Sequence, residues 1–189
     1  MSNHEKKVKA NHLEIEMACM KDYEDLTEKD LRIQLAASYR LVEELGWSFL
    51  IFGHLTARVP GKEKHFLINP YGLMYDEINA SNLVKIDLEG KKVEDTEWDV
   101  NPAGFIIHSA VHSSKSNAHC VMHTHTNAGM AMAALKKGLI NIDFSGSAFH
   151  KKVAYHDFEG VTLRKDECKR IADDLGDKSV MVLKNHGLL

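Results

Sequence analysis

The chain has 189 residues, 44% of them hydrophobic, and a formal net charge of −3. That is enough for one domain with a real core and too little for two. Its acidic and basic residues are interspersed, which excludes the basic stripe of a nucleic-acid binder. No run approaches the roughly 18 apolar residues of a membrane span, and the N-terminus lacks the apolar centre of a secretory signal, so a cytoplasmic protein is expected.

Residues 1–24 are rich in Lys and Glu without an apolar period and read as a mobile arm. In LTEKDLRIQLAASYRLVEELG, Thr27 can cap and Asp30 sits in the first turn. Leu31, Leu35, Tyr39, Val42 and Leu45 then recur at helical spacing until Gly46. From Trp47 to Val93 the runs SFLIF, LTARV, HFLIN and LVKIDL, separated by PGKEK and PYG and closed by EGKK, predict an antiparallel meander. After Pro102, AGFIIHSAVHSSK returns to helical spacing. AHCVMHTH reads as a strand and NAGMAMAALKKG as a small-residue helix ending at Gly138. KKVAYH is a short strand, LRKDECKRIADDLG a surface helix and KSVMVLKN a final buried strand leading to His186. Helices interleaved with a mostly antiparallel sheet predict a layered α/β domain with helices on both faces.

Cys19, Cys120 and Cys168 lack CxxC spacing, which argues against a disulfide framework or a zinc ribbon and for small apolar fillers. The histidines are more informative. On a strand, residues i and i+2 share a face about 7 Å apart, so His123 and His125 could converge on one ion or could simply be two polar residues on a solvent face. Thr126 and Asn127 are natural helix caps, which puts the pair where a strand meets a helix, a favoured place for ligands. KNHGLL adds His186, after a buried strand and before a glycine that permits a sharp turn. Three histidines with a fourth position open make a catalytic rather than a structural zinc arrangement. His108 and His112 share a helix face at i and i+4, but Ser109 stands where HExxH needs glutamate, so they read as a helix face or as support for other ligands. His54, His65, His119, His150 and His156 read as surface or satisfied core histidines.

GHLTARVP, FLINPYGLMYDEI, NPAGFIIHSAVH, CVMHTHT, VAYHDFEG and VLKNHGLL, in that order over residues 27–189, resemble the class II aldolase/adducin family, and its adducin-like bacterial branch most closely. The resemblance implies a three-layer α/β/α fold with a mixed, mostly antiparallel central sheet over residues 25–189. It also implies a homotetramer with sites at subunit interfaces, and Zn2+ or another divalent transition metal on His123, His125 and His186. The implied chemistry is that of a lyase: carbon–carbon cleavage through a metal-stabilised enediolate of a small sugar or sugar acid. The alternative is a non-catalytic binding or oligomerisation domain like the adducin head.

The resemblance also marks departures. An ungapped count from His123 puts the aldolase base at Gly104, seven residues (104 − 97) beyond Glu97 of DTEW, the first candidate for that role, ahead of Asp99, Tyr71 and His156. The phosphate-binding serines correspond to Pro102 and Ala103, and the phosphate-binding asparagine to His54. Gly53, His54, Asn69 and Gly72 are the implied substrate-binding positions, suited to a carboxylate or an unphosphorylated sugar. Relatives continue past NHGLL with helices that pack the subunit interface, so either a fragment or a relative shortened at its C-terminus is expected.

Overall fold

The computed structural model describes residues 22–61 and 63–189. The arm expected at 1–24 lies mostly outside the described residues. Its last part does not behave as an arm: Tyr23–Asp25 forms a 3-10 turn, and the Tyr23 hydroxyl donates to the Arg58 carbonyl at 3.0 Å.

Helix α1, Glu28–Glu44, begins with the capping box its sequence announces. The Thr27 hydroxyl accepts from the Asp30 N–H, and the Asp30 carboxylate accepts from the Thr27 N–H at 2.9 Å. Strands β1 (His54–Arg58), β2 (Phe66–Ile68), β3 (Val84–Ile86) and β4 (Cys120–His123) form an antiparallel sheet in the order β3-β2-β1-β4. Helix α2 (Pro102–Ser114) precedes β4, and α3 (Asn127–Ala133) and the single turn α4 (Phe144–Ser147) follow it. Strand β5 (Val153–His156) runs parallel to β6 (Val180–Leu183) across helix α5 (Glu167–Leu175), and β6 pairs antiparallel with β7 (Gly187–Leu188). A bridge between Thr124 and Leu188, with both N–H groups donating across at 3.1 Å, stitches the two sheets into one mixed, mostly antiparallel surface.

Strand alternation sends side chains into a core on each face. Leu55, Ala57 and Leu67 pack against Leu31, Leu35, Tyr39 and Val42 of α1. Across the sheet, Val121 joins Ile107, Ala110 and Val111 of α2 and Ile171 and Leu175 of α5, while Phe66, Ile68, Val84 and Ile86 pack with Phe105. The result is the α/β/α layering.

Four local expectations are corrected. SFLIF is a turn rather than a strand: Leu50 takes φ 52°, and only Phe49 and Phe52 bridge. Phe49, Leu50 and Phe52 are exposed, so the run's apolar character does not mark core. The strand expected through His125 stops at His123, and the helix expected to reach Gly138 stops at Ala133. Of the cysteines expected as fillers, Cys120 is exposed, Cys168 is half-buried, and Cys19 lies outside the described residues.

Candidate metal centre and its histidine surround

His123 closes the β1–β4 ladder opposite His54. The chain then turns through Thr124 and His125 into α3, whose N-cap Thr126 accepts from the Gly129 N–H. His125 therefore reaches the site from a turn and not from the strand. Its ring still stands 4.7 Å from that of His123, edge to face.

His186 arrives from the other sheet. After β6, Asn185 takes the left-handed conformation at φ 56°, which Asn tolerates better than most residues, and its N–H donates to the Ala133 carbonyl. Gly187 follows where no side chain fits: a Cβ there would lie 2.6 Å from the Thr124 carbonyl oxygen and 2.9 Å from the His125 ring. The His186 ring lies 4.8 Å from that of His123 and 4.9 Å from that of His125. One nitrogen from each of the three falls within 4.8 Å of the others.

The tautomers are set by partners. His123 Nδ1–H donates to the Leu188 carbonyl at 2.9 Å, leaving Nε2 as a lone pair that accepts from His125 Nε2–H at 2.8 Å. Burial, then neighbouring histidines, holds His123 well below the usual histidine range. Burial also lowers His125, and burial with His125 brings His186 down to about 4. All three are neutral near pH 7, the form a ligand needs.

Behind the triad is a second histidine group. His54, Thr56, His108 and His112 are buried. His54 Nδ1 lies 2.8 Å from His108 Nε2, Thr56 Oγ1 lies 2.6 Å from His108 Nδ1 and 2.8 Å from His112 Nε2, and His112 Nδ1 lies 3.2 Å from the Ala118 carbonyl. The sequence held two clues to this: His54 and Thr56 alternate onto one strand face, and His108 and His112 share a helix face. What it lacked was the register joining them.

The remaining expected residues are placed as follows. Gly53 has φ 81° and lets β1 approach the His123 carbonyl, 3.0 Å from where a Cβ would sit. Asn69 is buried and occupied within the fold, accepting from the Tyr39 hydroxyl at 2.8 Å. Gly72 has φ 96° in an open turn. Glu97 is exposed on the loop before α2, and no hydrogen bond joins it to the histidines among the described residues. Tyr71 is exposed, Asp99 pairs with Lys92 at 3.4 Å, and His156 is buried with Nδ1 donating to Asp174 at 2.7 Å. At Gly104 a Cβ would lie 2.8 Å from the His54 ring.

The model of the class II aldolase and adducin N-terminal domain matches residues 33–189. The chain belongs to that family. It is 50% identical over 162 residues to a protein of Caulobacter vibrioides that carries a class 2 aldolase name, covering 86% of this chain and 63% of that one. With alpha-adducin of Rattus norvegicus it shares 46% over 168 residues, 87% of this chain and 23% of the adducin. Among solved structures, an aldolase II superfamily protein from Pseudomonas syringae matches at TM-score 0.82 and 50% identity, covering 86% of this chain and 65% of that one. L-fuculose 1-phosphate aldolase from Glaciozyma antarctica PI12 matches at TM-score 0.74 and 32% identity, covering 85% and 63%. The chain thus spans a little under two thirds of its bacterial relative.

Proposed function

We propose that the chain forms the metal-holding domain, residues 25–189, of a class II aldolase-type lyase acting on a small sugar or sugar acid. The observation that carries this reading is the convergence of His123, His125 and His186 to within 4.8 Å. Ligands on one ion at bonds of about 2.0–2.1 Å sit no more than about 4.2 Å apart, so a small ring rotation, with the His125 proton moved from Nε2 to Nδ1, closes the set. Neutral imidazoles, one anchored through Nδ1 to a backbone carbonyl, suit Zn2+ or another divalent transition metal. Such an ion supplies Lewis acidity toward a carbonyl oxygen.

The chain's own residues do the rest. The triad fixes the position of the carbonyl end, and Gly53, His54 and Gly72 are assigned to border the substrate, while Asn69 is taken up by Tyr39. Glu97 is the carboxylate assigned to take the proton from the carbon beside the carbonyl, which requires it to come within about 3 Å or one water of that carbon. The family fold supports assembly into a homotetramer, and Ile142, Phe144 and Val161, 83%, 93% and 76% exposed, are suited to being covered by it. Among the described residues no helix is long and apolar enough to cross a membrane.

Metal analysis tests the assignment. His125→Ala loses Zn2+, whereas His65→Ala, at the start of the β2 hairpin, retains it; equal loading in both refutes the triad. A second reading, a non-catalytic binding domain like the adducin head, is favoured by the adducin identity and by the closed position at Gly104. Proton exchange from dihydroxyacetone by metal-loaded protein separates the two: none in the wild type favours the binding role, and full exchange in Glu97→Gln removes Glu97 as the base.

A further inference from the structure

The group behind the triad is directional, and its direction follows from one fixed point. The Ala118 carbonyl can only accept, so His112 donates to it through Nδ1–H. His112 is neutral: it is buried against the Phe66 ring, the Arg58 guanidinium donates to its own carbonyl, and none of its bonded partners is a carboxylate. Its Nε2 is therefore a lone pair, and Thr56 Oγ1–H donates to it. The Thr56 oxygen then accepts from His108 Nδ1–H, which leaves His108 Nε2 to accept from His54 Nδ1–H. The chain of bonds ends on His54 Nε2, unprotonated.

That nitrogen is beside the metal centre. The His54 ring lies 5.0 Å from that of His123, and His125 and His186 also act on it electrostatically. Its Nε2 edge packs against Gly104 in the first turn of α2, where a Cβ would come within 3.0 Å of Nε2; glycine puts no side chain of its own on that edge. A lone pair accepts from a hydroxyl and repels the acceptor-only oxygens of a phosphate.

We propose that the His112–Thr56–His108–His54 relay holds His54 as a fixed hydrogen-bond acceptor for a substrate hydroxyl, making the site one for unphosphorylated polyols and sugars rather than phosphate esters. This rests on the metal-centred reading above for the place where substrate binds. His54 touches the substrate; Thr56, His108 and His112 are positioning residues that act through it.

The experiment uses the whole chain with 15N-labelled histidine rings. Two-bond 1H–15N spectra of the wild type, with His54 assigned by its loss in His54→Gln, are expected to show an unprotonated His54 Nε2. In Thr56→Val, His108 loses its acceptor, and the His54 Nε2 resonance is expected to move toward the protonated position. With Zn2+ loaded, dihydroxyacetone is expected to shift His54 Nε2 and to bind at least tenfold more tightly than dihydroxyacetone phosphate. A protonated His54 Nε2 in the wild type overturns the relay, whether or not Thr56→Val folds. Tenfold tighter binding of the phosphate ester overturns the substrate class. Failure to take up Zn2+ sinks the metal reading and the substrate assignment with it, while the tautomer result still decides the relay.

Discussion

At the scale of single residues, two glycines control how closely the histidines can gather. Gly187 abuts the Thr124 carbonyl at 2.6 Å and the His125 and His123 rings at 2.9 and 3.3 Å from a notional Cβ. These contacts are backbone and site rings, so little can yield. Gly187→Ala is expected to cost about 1–3 kcal/mol in denaturant unfolding and to weaken Zn2+ binding tenfold or more. Unchanged metal affinity would show that the rings have freedom the packing denies them. Gly104→Ala presses instead on His54 at 2.8 Å. It should lower thermal stability while leaving Zn2+ uptake intact, because His54 is outside the proposed ligand set.

At the scale of elements, what the sequence revealed depended on how many residues share one period. Helix α1 was readable because five apolar positions and a cap agree, and its capping box tests the point: Thr27→Ala should cost about 0.5–2 kcal/mol in urea unfolding. The strands β1, β2 and β3 were readable as short runs between turn signals. SFLIF misled because four consecutive apolar residues carry no period, and Leu50 at φ 52° turns the run outward. Strand β7 is two residues long and has no pattern to read; it exists because Leu188 pairs with Val182 on one side and bridges Thr124 on the other. The same bridge ends β4 at His123. The HxH pair was therefore visible in the sequence, but its geometry was not: His125 converges from a turn. The relay was hidden for a related reason, since β1 and α2 are more than forty residues apart and only their packing sets Thr56 between His108 and His112.

At the scale of the whole molecule, the histidines gathered between the sheet and α2 make stability depend on pH in a specific window. His54, His108, His112 and His123 are all buried, and burial is the largest cause holding each below the ordinary value of 6.5, His112 down to about 3. In the unfolded chain the same groups take up protons near 6.5, so below that pH the unfolded state binds more protons than the folded one. The contribution of these residues is complete above about pH 6.5 and is lost as pH falls toward the folded values. Each of the four adds to that loss, because burial opposes the charged form of its ring in the folded chain. Carboxylates held by cations, such as Glu28 between Lys85 and Arg32, start from 4.5 and act only at lower pH, so the interval between 6.5 and 4.5 belongs to the histidines. The metal-free protein is therefore expected to lose thermal stability steeply between pH 7 and pH 5. Saturating Zn2+ should counter the loss only partly, because it engages His123, His125 and His186 and leaves the relay untouched. A melting temperature that stays level from pH 7 to pH 5 without metal would mean that the buried imidazoles accept protons in place, and would remove the neutral charge state on which both the triad and the relay depend.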